Sequence, residues 1–190
     1  MRYVVLFLFL CALSSTVRAQ SFRAYAELGI NASQIDGDDL AGYNQPGLRI
    51  GAHVAMPLDS SWLIRGGMVY SGKGSRHGER DLFFQILRVN YLELPLVAQY
   101  DLLEKVSITA GFTANYLIQA KVDGGGGFES IRDQFRDFDV CYTAGVMYQP
   151  FDNAAFSVSI INGLFSASSV DFFRNRSLAF SLFYQLSVGI

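Results

Sequence analysis

The feature that most restricts what this chain can fold into is a hydrophobic period of two that returns again and again. In its last stretch Leu178, Phe180, Leu182, Tyr184, Leu186, Val188 and Ile190 share one face. Ser177, Ala179, Ser181, Phe183, Gln185, Ser187 and Gly189 share the other, and only Phe183 is out of pattern. Successive side chains of a strand point to opposite faces, so this alternation marks a strand with one apolar side. A longer run is cleaner still. Val106, Ile108, Ala110, Phe112, Ala114, Tyr116, Ile118 and Ala120 oppose Ser107, Thr109, Gly111, Thr113, Asn115 and Gln119, with Leu117 the exception. The helical period of 3.6 is weak throughout.

Eight segments carry the alternation: 21–32, 46–57, 61–73, 87–101, 104–122, 137–150, 154–163 and 176–190. Their connections are as informative as the strands. PLDS (57–60), LLE (102–104) and FDN (151–153) are short turns, whereas 33–45, 74–86, 123–136 and 164–175 are long and rich in glycine or charge. Short and long alternate strictly. That layout predicts an all-β, eight-stranded, antiparallel up-and-down barrel of the outer-membrane type, with short turns on one side and long loops outside.

A small barrel can also be soluble, with its apolar face inward. A solvated outer face would be rich in Lys and Glu. Here the polar face is mostly Gly, Ser, Thr, Ala, Asn and Gln, with scattered charges of both signs at Arg23, Glu27, Arg49, Arg65, Glu93 and Lys105. Small residues and mixed charges suit a narrow interior that side chains must fill and where charges need partners. Aromatics on the apolar face are placed at two levels. Trp62, Tyr100, Tyr148 and Phe156 sit beside short turns, and Tyr70, Tyr91, Tyr116 and Tyr142 nearer the long loops, which predicts two girdles at the membrane interfaces. From Trp62 to Tyr70 a tilted strand rises roughly 20 Å, close to the apolar band of such a barrel.

The segment NYLELPLVAQY, Asn90 to Tyr100, then makes sense. Leu92, Leu94, Leu96, Ala98 and Tyr100 are expected to face lipid, and Glu93, Pro95, Val97 and Gln99 the lumen, with Arg65 and Arg49 as candidate partners for Glu93. Pro95 gives up a ladder hydrogen bond. With Leu87, Val89 and Tyr91 apolar at odd positions before the pattern moves to even ones, a bulge is expected here.

The opening residues MRYVVLFLFLCALSSTVRAQ have Arg2, an apolar run from Val4 to Leu13 and a small-residue close at Val17-Arg18-Ala19, the pattern of a secretory signal peptide cleaved after Ala19. The run is too short to span a bilayer. Residues 1–19 are thus expected to be removed, leaving 20–190 as one barrel domain with 13 basic and 17 acidic residues, a formal charge of −4, which offers nothing to nucleic acid. Hydrophobic residues make up 51% and charged residues 17% of the chain, below the quarter usual in soluble domains. Cys141 alone remains, so no internal disulfide is possible.

The segments ELGINASQIDGDD (Glu27–Asp39), YSGKGS (Tyr70–Ser75) and above all Tyr91-Leu92-Glu93-Leu94-Pro95-Leu96 resemble the PorT-like outer-membrane β-barrel family. The resemblance covers nearly the whole mature chain. It implies a barrel and, for the family's namesake, a part in protein secretion across the outer membrane.

Catalytic, cofactor and metal sites are not expected. His53 falls on the lumen face and His77 in a long loop, and neither has metal-ligand spacing. Asp36, Asp38 and Asp39 lack the ligand order of a calcium loop. The loop cluster Lys73, Arg76, Glu79, Arg80 and Asp81 is expected to be solvated, or to touch lipid phosphates or a partner. The expectation is a non-enzymatic envelope protein working through its long loops. Its partners would be outer-membrane lipids, the barrel assembly machinery during biogenesis and an envelope protein. The alternatives are an accessory subunit of a secretion or transport complex and an outer-leaflet lipid-modifying enzyme.

Overall fold

In the computed structural model of the protein, residues 22–38, 40, 42–77, 85–169 and 172–186 are described. The expected signal peptide and the last four residues of the expected final strand lie outside them. Eight long strands are β1 (Arg23–Asp36), β2 (Gln45–Pro57), β3 (Trp62–Arg76), β4 (Ile86–Leu103), β5 (Val106–Asp123), β7 (Phe138–Phe151), β8 (Ala154–Gly163) and β9 (Arg174–Leu186). A three-residue strand, β6 (Phe128–Ser130), and a 3-10 turn (Arg132–Gln134) lie in the β5–β7 loop. Each long strand pairs antiparallel with its neighbour in sequence, and β1 pairs with β9, so the sheet closes on itself. Closure removes the free edges of the eight long strands, the condition for strands to cross a bilayer without orphaned backbone groups. This is the eight-stranded up-and-down barrel that the alternation predicts. No helix among the described residues is long and apolar enough to span a membrane.

The faces divide as the pleat requires. On β4, Leu94 and Leu96 are exposed while Glu93, Pro95, Val97 and Gln99 are buried inside. Leu28, Ile30, Ile50, Val54, Met68, Phe112, Val146, Val158 and Phe180 likewise point outward, at 41–60% exposure. In water such a surface would be a gross defect; against hydrocarbon it is the solvent-facing side.

The proline and the phase change do not act as expected. The β3–β4 register is the same on both sides of Pro95, with Gly66 opposite Leu96 and Val69 opposite Glu93, so Pro95 interrupts the ladder without a bulge. Odd residues of β4 face inward from Leu87 to Gln99, so Leu87, Val89 and Tyr91 are interior. The slip is on β5. Asn90 pairs with Gln119 but Tyr91 with Leu117, leaving Ile118 as the extra residue. Its effect is visible in the pattern: Leu117 is buried inward, and beyond the bulge Ala120, expected to face lipid, is inside too.

Candidate functional site: a charged lumen beneath a closed mouth

The mid-barrel interior is a connected set of ions. Arg49 on β2 donates from Nε to Glu27 Oε1 on β1 and from Nη1 to Glu93 Oε2 on β4, each at 2.6 Å, so one guanidinium bridges two carboxylates across the lumen. Its planar fork suits such two-sided binding. Lys73 Nζ on β3 lies 2.6 Å from Glu93 Oε1. Glu27 also accepts from Ser181 Oγ at 2.6 Å and lies 2.6 Å from His53 Nε2. Gly67 makes room for the imidazole, since a Cβ there would run into His53 Nδ1. Every one of these ionic side chains is at most 7% exposed.

Of the six charges expected inside, Glu27, Arg49, Arg65 and Glu93 are interior. Arg23 and Lys105 are not. Arg23 opens β1 at the short-turn rim and Lys105 sits in the β4–β5 turn, both exposed, because the polar phase runs past the ends of the wall into water. Arg65 is buried but is not Glu93's partner. Its guanidinium lies 4.3 Å from the Phe183 ring centroid and its Nη1 3.9 Å from Met147 Sδ, with no carboxylate in reach among the described residues. Phe183, the apparent flaw in the β9 alternation, is therefore the ring on which Arg65 stacks. Two further interior charges are Lys73, expected in a loop but buried within β3, and Asp139, an inward carboxylate held by Asn175 Nδ2 at 2.9 Å. Both sit on inward parity, the one signal that marks them.

The girdle expectation divides in the same way. Trp62 lies 4.9 Å from Tyr100 across β3–β4, and Tyr148 pairs with Phe156 across β7–β8, all beside short turns. Tyr70, Tyr116 and Tyr142 face outward at the other level, where Tyr116 packs 5.2 Å from Phe138. Tyr91 is not in this girdle. It is fully buried in the lumen, and its hydroxyl accepts from Asn175 Nδ2 at 3.1 Å.

Tyr91 belongs to a second device. With Ile35, Leu87, Val89, Leu117, Ala120, Phe135 and Ala167 it forms an apolar plug inside the long-loop end. Phe135 and Ala167 come from two different loops, stitched over the mouth. Arg136 N–H donates to the Ala167 carbonyl at 2.8 Å, Ser169 N–H to the Gln134 carbonyl at 3.0 Å, and Phe135 bridges Ser168. The central cavity below is about 40 Å³, room for a few waters and no more. His77 stands at the end of β3, against the Gln85 carbonyl, while His53 is deep in the lumen, so the two histidines are far apart in the fold. Among the described residues no cluster of His, Cys, Asp and Glu has the makings of a metal site.

The barrel resembles solved outer-membrane proteins. The attachment invasion locus protein Ail of Yersinia pestis superposes with a TM-score of 0.57 at 17% identity, covering 86% of this chain and 98% of that one. Ail in complex with the heparin analogue sucrose octasulfate gives 0.57 at 15% identity, covering 87% and 99%. Neisserial surface protein A gives 0.57 at 12% identity, covering 89% and 100%. At these identities the likeness is one of fold. No curated protein sequence matches the chain. The family model described as "Outer membrane protein beta-barrel domain" matches residues 18–169, most of the sequence. The chain belongs to that outer-membrane β-barrel family.

Proposed function

We propose that this outer-membrane protein is a sealed, non-enzymatic barrel that serves the envelope through the surface its long loops present. The observation that carries this reading is the double closure of the lumen. Arg49 ties Glu27 to Glu93 across the middle, and the Tyr91–Leu117–Phe135–Ala167 plug fills the long-loop end. An eight-stranded barrel has an interior just wide enough for side chains to fill. The same loops that close the mouth are thereby held in place, and the loop between β8 and β9 displays Phe165 and Phe172 at 61% and 65% exposure. A loop anchored from below and bearing exposed aromatics is suited to recognition, because little ordering remains to be done on binding. The removal of residues 1–19 as a signal peptide is part of this reading. An outer-leaflet lipid enzyme is disfavoured by the position of His53, whose Nε2 is engaged by Glu27 inside the lumen.

The test is conductance of the purified barrel in a planar bilayer. The sealed lumen predicts no unitary current steps; a steady open current overturns it. The second reading is an accessory subunit of a secretion or transport complex, as the PorT-like resemblance implies. One observation favours it: a shallow apolar groove of about 480 Å³ on the lipid face, floored by Gly29 and walled by Leu28, Phe156 and Phe180, where a membrane partner could pack. Co-purification of another envelope protein in mild detergent would support that reading.

A further inference from the structure

Around the long-loop rim some charges are paired, while three cations gathered in one sector are not. On β1–β9, Arg176 Nε lies 2.6 Å from Asp36 Oδ2, and in the β5–β7 loop Arg132 Nη2 lies 2.6 Å from Asp137 Oδ1. On β3–β5, by contrast, Arg76, Arg88 and Lys121 project from the outer face of the wall, and none makes an ion pair among the described residues. Arg88 stands directly opposite Lys121, while Arg76 is opposite Ile86, two residues along from Arg88. Directly opposed residues place their Cβ atoms about 5 Å apart and diagonal ones about 7–8 Å. Like charges in those positions repel, so the gathering calls for an anion.

Among the described residues the protein does not supply one in ion-pair contact. Asp123 shares the outward face, but its Oδ1 accepts the backbone N–H groups of Gly125 and Gly127 at 2.8 and 3.0 Å. Glu129 is opposite Val122, on the other side of the pleat from Lys121. The Arg88 guanidinium carbon lies over the Phe128 ring, 4.4 Å from its centroid.

Height identifies the partner. Below the cations come Asn90 and Gln119, then Tyr70, Leu92 and Tyr116 at the edge of the apolar band. Four residues of tilted strand from Leu92 to Arg88 rise roughly 10 Å. The headgroup layer adds about 5–7 Å beyond the hydrocarbon on each side, and long basic side chains reach back toward it. We propose that Arg76, Arg88 and Lys121 form a binding site for the phosphate group of a lipid in the leaflet on the long-loop side, confined to the β3–β5 sector of the barrel.

The experiment reconstitutes the barrel in phosphatidylcholine vesicles carrying either spin-labelled phosphatidic acid or spin-labelled phosphatidylcholine. Electron paramagnetic resonance reads the motionally restricted fraction of each. A cation near a membrane surface contributes about a fivefold preference for an anionic lipid. The wild-type protein should therefore restrict phosphatidic acid at least fivefold more strongly. R88Q should weaken the preference and R76Q/R88Q/K121Q should bring it close to one. Equal restriction of the two lipids by the wild-type protein overturns the proposal, as does an undiminished preference in R88Q. The proposal also fails if K105Q, which removes an exposed charge from the opposite rim, lowers the preference as much as R88Q does.

Discussion

Replacing Glu93 tests the interior network at its centre. Glu93 is fully buried and is approached at 2.6 Å by both Arg49 and Lys73. In Glu93→Leu, Arg49 keeps its bond to Glu27, so the stranded charge is chiefly Lys73, at 1% exposure and with no second ion pair among the described residues. Leaving one member of a buried pair uncompensated costs about 3–5 kcal/mol. With a urea dependence of about 1–3 kcal/mol per molar, the unfolding midpoint should fall by on the order of 2 M. Trp62 is the single tryptophan, so its fluorescence in detergent micelles reports the transition without ambiguity. Glu93→Leu combined with Lys73→Met removes both members of the broken pair and should recover most of the loss. An unchanged midpoint in the single variant refutes the reasoning, and so does a double variant no more stable than the single.

Further outcomes follow from the same geometry. Arg49→Met leaves Glu93 with Lys73 but takes from Glu27 its guanidinium partner, with only Ser181 and His53 remaining on it, and should lower the midpoint by an amount similar to Glu93→Leu. Arg65→Met removes a cation that has no carboxylate partner, and should change stability by less than about 1 kcal/mol; the same fluorescence titration separates them. Leu96→Arg, on the lipid face near mid-membrane, should cost about 2–4 kcal/mol in vesicles, whereas Leu103→Arg at the short-turn rim should cost about 0–1 kcal/mol. Gly67→Ala forces a methyl into the space of the His53 ring and should lower the midpoint, while Gly124→Ala, with nothing within 4 Å of the new atom, should leave it in place.

The wall of this barrel is legible in the sequence because each strand is read by the same two-residue rule, and turn length then fixes which end is which. The expected segment 87–101 and the observed β4, Ile86–Leu103, differ only at the rims. What alternation cannot convey is where polarity stops meaning lumen. Arg23 and Lys105 have interior parity or interior character yet stand in water, since the pattern continues past the membrane. Tyr91 fails for the converse reason. Aromatic and apolar, it reads as lipid-facing, but the inner face itself turns apolar where the plug lies. Leu87, Val89 and Leu117 mimic a phase change for the same reason. The bulge at Ile118 is a true slip within the wall, unlike the shifts beside the short turns at Asp101/Leu103 and Tyr148/Phe151, and it shows only once Leu117 is paired with Tyr91. Lys73, at the end of the expected segment 61–73, reads as the start of a charged loop, yet β3 runs on to Arg76 and carries the loop-like GKGS stretch into the barrel.

The central claim is that β4 crosses the membrane with its leucines in lipid and Glu93 inside. Single cysteines introduced from Leu92 to Tyr100, in a Cys141→Ser background and spin-labelled in vesicles, test it directly through collision with dissolved oxygen, which concentrates in the bilayer. High accessibility at 92, 94, 96, 98 and 100 and low accessibility at 93, 95, 97 and 99 is the predicted result. High oxygen accessibility at the odd positions, or no alternation at all, would contradict it.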